Sequence, residues 1–286
     1  MSYSIAYNCC VRIIHYMHIG AYIHDRLLPN MVRAISEEHG IACTSHSDDW
    51  VLRLDRSGRV LWIYGYHFSL NPSSSSEIAT DKVAAYQVLK DSGLEAVEHY
   101  LVRSNASEEL EESVVEARIP AQTEGMIVKP LSGSSGKYIN FAHDTKQVIE
   151  LANQRKDLGW TASPFIDIVA EYRVVILNNN VELTYEKTNP RQKSAIKLFN
   201  LGCGAIAELI DSSDEYYAQL SGIGRKASTA LGLTFAAVDI VLLKDGTMKI
   251  LEVNSGISFE HFARQGSNNE EKAYAIYEKA IISYLS

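Results

Sequence analysis

Two carboxylates and an amide stand out in the stretch Phe235-Ala-Ala-Val-Asp239-Ile-Val-Leu-Leu-Lys-Asp245-Gly246-Thr-Met-Lys-Ile-Leu-Glu252-Val-Asn254. Apolar, β-branched runs flank Asp245-Gly246, a strong hairpin signal. With Lys244 facing Thr247 across a two-residue turn, Glu252 falls opposite Asp239 and Asn254 shares its face. Like charges opposed on a sheet repel. A hard divalent cation with oxygen ligands, such as Mg²⁺ or Mn²⁺, resolves the conflict and carries phosphates. The alternative is that Asp239 and Glu252 each pair with a lysine or arginine elsewhere.

A second stretch suits an anion. Met126–Lys129 reads as a strand that runs into Ser132-Gly133-Ser134-Ser135-Gly136, with a further strand at Tyr138–Phe141. Small residues let backbone N–H groups approach phosphate oxygens, and Lys129 sets a cation at the root of the loop. It is not a Walker P-loop, because Leu131 stands where the first glycine belongs and Tyr138 follows Lys137. Lys82 lies in the first turn of a helix, where the helix dipole disfavours a cation. Arg173 and Glu186 lie in two strands around Asn178-Asn179-Asn180, where a cross-strand ion pair is the plain alternative. Arg191, Lys193 and Lys197 form a basic cluster suited to a mobile loop that meets an anion.

The elements around these residues are legible from pattern. A helix over Leu28–His39 stops at Gly40, and a hairpin turns at Asp55–Gly58. Ser4–Tyr7 is a short possible strand. Asn71–Ser76 is the linker candidate, and the following helix is capped by Thr80 or Asp81 and closed by Gly93. Helices are expected at Thr145–Leu151, Tyr216–Gly232 and Glu270–Tyr284, and Ser258 caps a short one. His15, His18 and His24 lie in the first third of the chain, and His15 and His18 are followed by no matched acidic partner, so a packing or substrate-facing role is expected there and not a metal. The 286 residues carry a net charge of −8, which argues against nucleic acid as the main partner. No apolar run approaches the ~20 residues that span a membrane, and no signal peptide is evident. Cys9, Cys10, Cys43 and Cys203 form no CxxC pair, so reduced thiols in a cytoplasmic protein are expected, without zinc.

In order, these stretches resemble the ATP-grasp superfamily, and within it the RimK-like and D-alanine–D-alanine-ligase-like carboxylate–amine ligases. The resemblance covers roughly residues 78–286. It implies a mixed α/β (α+β) fold: a small N-terminal α/β domain over 1–76, then an ATP-grasp domain over 77–286. That domain has a small lobe at about 110–166 and a large lobe at about 167–286, which clamp ATP. It implies that Lys82, Lys129, Ser132–Gly136, the hinge Phe165-Ile166, Glu186 and Lys187 hold the nucleotide. Arg173 and Lys129 would serve the chemistry, and Asp239, Glu252 and Asn254 would ligate magnesium. The implied reaction joins a small carboxylic acid to an amine, such as an amino acid, through an acyl phosphate, releasing ADP and phosphate. Ligation to a thiol or carrier protein, or a non-catalytic ATP-binding regulator, are the alternatives. Homodimers are usual in the family. The chain departs from the family at Ser163-Pro164, where Gln-Glu is usual before the hinge aromatic, and at Gly256-Ile257, where Pro-Gly often follows Glu-Val-Asn.

Overall fold

The computed structural model describes residues 25–103, 110–120, 124–133, 138–193 and 196–286. Ser4–Tyr7, Cys9, Cys10, His15, His18, His24, Ser134, Ser135 and Gly136 lie outside the described residues. The chain divides into two compact units, one of Met1–Ser69 with Ser258–Ser286 and one of Leu70–Ile257. Residues 258–286, expected with the larger domain, thus group with the N-terminal ones. Phe68 stacks on Tyr277 of helix Ser267–Leu285 at 5.6 Å, and Tyr277 meets Phe259 at 5.1 Å.

In the first unit, α1 (Leu27–Glu38) buries Leu28, Val32 and Ile35 as its spacing predicts. It precedes an antiparallel sheet of β1 (Ala42–His46), β2 (Val51–Arg56), β3 (Arg59–Tyr64) and β4 (His67–Phe68), in that order. Strict alternation buries Leu52, Leu54, Leu61 and Ile63. Ser57 and Gly58 make the turn at φ 54° and 87°, both left-handed, as a two-residue hairpin of the type matching strand twist requires.

The second unit opens with a correction. Asn71–Ser76 is not a loose linker, because α2 spans Ser73–Thr80. Asn71 donates to the Phe235 carbonyl at 2.7 Å and accepts from the Thr234 and Phe235 amides at 2.8 and 2.9 Å. Helix α3 (Lys82–Asp91) starts at Asp81, whose carboxylate caps the Val83 and Ala84 amides at 2.9 and 3.0 Å. Next come β5 (Tyr100–Arg103), α4 (Glu112–Arg118), β6 (Met126–Pro130), β7 (Asn140–Ala142), α5 (Thr145–Gln154) and β8 (Trp160–Pro164). The four strands form an antiparallel sheet in the order β5-β8-β6-β7, whose core includes Val102, Val128, Val148 and Trp160.

The larger sheet is built from β9 (Ile168–Leu177), β10 (Asn180–Thr188), β13 (Ile206–Leu209), β14 (Phe235–Leu243) and β15 (Met248–Asn254), in the order β13-β10-β9-β14-β15. A separate ribbon of β11 (Arg191–Lys193) and β12 (Ile196–Leu198) precedes β13, and α6 (Tyr217–Ala230) precedes β14. Over β9, β14 and β15 one face of the larger sheet is apolar: Tyr172, Val174, Ile176, Ala236, Val238, Ile240, Met248 and Ile250 pack with Leu220 and Ala227 of α6. No helix among the described residues is long and apolar enough to cross a membrane.

Candidate active site

The opposite face of the larger sheet carries the charges. Alternation puts Glu171 and Arg173 of β9, Lys187 of β10 and Asp239 of β14 on that face, away from α6. The opposition of Asp239 and Glu252 is as expected, but the route to it is different. Leu243 pairs with Thr247 across the three residues Lys244, Asp245 and Gly246, with Gly246 at φ 84°. This register sets Met248 and Ile250 in the apolar core, where the expected two-residue turn would have put Lys249. Left uncorrected, it would also carry Glu252 and Asn254 into that core. A bulge at Leu251 restores the pairing of Asp239 with Glu252 and of Ala237 with Asn254. Glu182 is the extra residue of a second bulge, which moves Leu183, Tyr185 and Lys187 onto the cleft face.

This face and the smaller sheet enclose a cavity of about 200 Å³. Asp239 is fully buried and accepts two bonds from Arg173, Nε to Oδ1 at 2.7 Å and Nη2 to Oδ2 at 2.6 Å. Lys187 Nζ stands 3.0 Å from Asp239 Oδ1 and 2.5 Å from Glu171 Oε1. Burial alone would raise the Asp239 carboxyl, yet Arg173 and Lys187 hold it well below the usual carboxylate range. Burial raises Glu171 against the pull of Lys187. Across the cavity, Lys129 of β6 has no carboxylate within 4.0 Å among the described residues. Its burial lowers its pKa to about 8, against the pull of Glu252.

Glu252 differs from Asp239. No cation lies within 4.0 Å of it among the described residues, and it accepts only from Asn254 Nδ2, at 3.3 Å. The Asn254 amide also lies 3.5 Å from Asp239 Oδ2, and a half-turn about its last bond exchanges NH₂ for oxygen. Asp239 Oδ1 meets both Arg173 and Lys187, while Oδ2 keeps a second lone pair beyond the one Arg173 uses. Glu252, Asn254 and Asp239 therefore fit a hard divalent cation, with Glu252 the ligand least committed to the protein. In the other unit, ligand atoms of Glu38, His39 and Glu278 lie within 4.8 Å of one another, and a His39–Glu278 contact of 2.6 Å accounts for that approach.

Lys82, Gly133, Phe165, Ile166 and Lys187 line the cavity, as do Ser163 and Pro164. Lys82 Nζ reaches the Gly133 carbonyl at 3.4 Å, while Ser132 does not line the cavity. Glu186, expected beside Lys187 at the nucleotide, is on the wrong face: it pairs with Tyr172 and Glu208 on the α6 side, because strand parity admits only one of two neighbours. Of the basic cluster, Lys197 lines the cavity. Lys193 donates to the Ile139 carbonyl at 2.8 Å, and Lys197 to the Ile168 carbonyl at 2.9 Å and Asp167 at 3.2 Å, so two of its three cations rest on protein oxygens. Glu171 was missed, although its two-residue spacing from Arg173 put it on the same face. Asp167, also missed, is held by Lys197 and Lys244 and sits in the cavity wall.

The family model of the RimK-like ATP-grasp domain matches residues 79–276. This chain belongs to that family. ATP binding and ATP-dependent ligation are the chemistry of the family. No curated protein matches the chain. Among solved structures it is similar to the D-alanine–D-alanine ligase of Bacillus anthracis complexed with ATP, at 18% identity and a TM-score of 0.53, over 75% of this chain and 67% of that one. It is also similar to a D-cycloserine synthetase, at 16% identity and a TM-score of 0.56, over 74% and 73%. At these identities the likeness shows the fold alone.

Proposed function

We propose that the protein is an ADP-forming carboxylate–amine ligase. The observation that carries the reading is the charge arrangement of the cavity: Lys129 buried with no carboxylate within 4.0 Å among the described residues, facing Glu252 with Asn254 beside it. A triphosphate would supply the charge Lys129 lacks, and Glu252, Asn254 and Asp239 would hold Mg²⁺ on the phosphates. The metal would supply charge neutralisation during transfer. Lys129 and Lys82 would orient the phosphates. Arg173, with Nε and Nη2 committed to Asp239, would offer Nη1 to an oxyanion. In the reaction, a substrate carboxylate oxygen attacks the γ-phosphorus and ADP leaves. The amine nitrogen then attacks the acyl carbon, the C–O bond to phosphate breaks, and the nitrogen loses its proton. No protein nucleophile is required, and catalysis is positioning with electrostatic stabilisation.

The test is nucleotide chromatography with phosphate release over pairs of small carboxylates and amines. ADP and phosphate should appear in step with amide, and AMP with pyrophosphate would reject the mechanism. Glu252→Gln should abolish turnover and leave stability within about 1 kcal/mol, because no cation among the described residues lies within 4.0 Å of that carboxylate.

A further inference from the structure

His99 is a buried histidine to which the proposed reaction gives no part. Its ring is 2% exposed, and Nδ1 lies 2.7 Å from the Val97 carbonyl. A carbonyl only accepts, so Nδ1 carries the proton and Nε2 is left with a bare lone pair. That Nε2 is buried with no hydrogen-bond partner among the described residues. Burial, together with the nearby Lys129 and Lys82 ammonium groups, keeps the ring neutral by holding its pKa well below the ordinary histidine value. His99 therefore presents a permanent acceptor and is no proton shuttle. A leucine or phenylalanine would fill this place without the ~1–3 kcal/mol that an unmet buried acceptor costs.

The acceptor has a setting. His99 lines a cavity of about 10 Å³, roughly the room one water needs. Lys82, Val97, Leu251 and Glu252 line both this cavity and the large one, so the two share a wall. Lys82 has donors to spare, its Nζ making a 3.4 Å contact to the Gly133 carbonyl, and Glu252 has oxygen lone pairs to spare.

We infer that His99 is a positioning residue: its Nε2 anchors one buried water that also meets Glu252 and Lys82 and fixes both side chains before nucleotide arrives. The water's two O–H groups go to His99 Nε2 and the Glu252 carboxylate, and its oxygen accepts from the Lys82 ammonium. Every group named is then satisfied. The inference rests on the reading of Lys82 and Glu252 as phosphate and metal residues.

The experiment measures binding of Mg²⁺ with the non-hydrolysable analogue AMP-PNP by calorimetry, and thermal stability, in full-length wild type, His99→Phe and His99→Gln. His99→Phe should bind about tenfold more weakly, the loss expected for one hydrogen-bonded anchor, with Tm unchanged or raised. His99→Gln, which keeps an acceptor oxygen, should regain most of the affinity. Wild-type affinity in His99→Phe, or a fall in Tm with no rescue by glutamine, would overturn the role. ¹⁵N spectra of wild-type histidines decide the matter even if a variant fails to fold. His99 should show a protonated Nδ1 and a hydrogen-bonded, unprotonated Nε2 from pH 5 to 8, and a free lone pair or an imidazolium would reject the anchor. A wild type that binds no AMP-PNP would sink the ligase reading instead, while the spectra would still judge His99.

Discussion

The two faces of the larger sheet share their strands and hold opposite chemistry. Toward α6 stand Tyr172, Val174, Ile176, Val238 and Ile240, and toward the cavity stand Glu171, Arg173, Lys187, Asp239 and Glu252. Over β14 and most of β9 neither face is a surface, so alternation there does not sort water from core. It sorts a core that holds by packing from one that holds by paired charge. Two one-residue bulges, at Leu251 and Glu182, keep the sorting intact where the turns alone would lose it. The difference teaches that the site depends on strand parity as much as on residue type.

The sharpest break is a deletion. Removing Val253 would move Asn254 into the apolar place that Val253 fills, burying an amide and emptying a core position. Cooperative unfolding in urea should be lost or weakened by more than about 4 kcal/mol. Removing Leu251, the spare residue of its bulge, should cost roughly 1–2 kcal/mol. Equal costs would mean that parity is not what the bulge protects.

Lys187→Met tests the charged face. It leaves Glu171 and Asp239 with one cation fewer, and breaking a buried pair costs about 3–5 kcal/mol. Glu171 already has a raised pKa in the fold. Such an acid binds more protons folded than unfolded, so its charging costs stability as pH rises through that window. The loss in Lys187→Met should therefore grow from pH 5 to 8, measured by denaturant midpoints.

Lys129→Met should move stability the other way. The folded pKa of Lys129 is about 8 against an ordinary 10.5. Below pH 8 both states are protonated and the buried charge imposes its full cost. Between pH 8 and 10.5 only the unfolded state holds the proton, so wild-type stability climbs. At pH 7 the methionine variant should gain up to about 3 kcal/mol, and the gain should fade above pH 10, while nucleotide affinity falls at least tenfold.

The smallest effect belongs to the packed face. A Cβ on Gly224 of α6 would come within 2.8 Å of Val174 Cγ1. Crowding costs about 1–3 kcal/mol and the better helix propensity of alanine returns up to about 1. Gly224→Ala should thus lower stability by about 1 kcal/mol, and Val174→Ala in the same chain should relieve the clash.

Much of this was legible in the residues. The alternation of Leu52, Leu54, Leu61 and Ile63, the cap at Asp81 and the turn at Ser57-Gly58 follow local rules. So does the opposition of Asp239 and Glu252, although the turn that first suggested it is not the one that forms. Pattern could not choose between a two-residue and a three-residue loop, because that choice was made by burying Met248 and Ile250 in place of Lys249. Glu186 was misplaced for a related reason, since the bulge at Glu182 sets the parity of β10 from outside the local pattern. The contacts of Lys193 and Lys197 with distant carbonyls were beyond any window of sequence.

The Asn71 clamp bears on where this chain can be cut. The family match begins at residue 79, an inviting start for a minimal fragment. A fragment begun there would lack Asn71, and with it the side chain that satisfies two amides and a carbonyl at the head of β14, more than 160 positions away in the chain. Each orphaned group in such a place costs about 1–3 kcal/mol. The head of β14 would fray just upstream of Asp239. Subcloning should begin no later than Leu70.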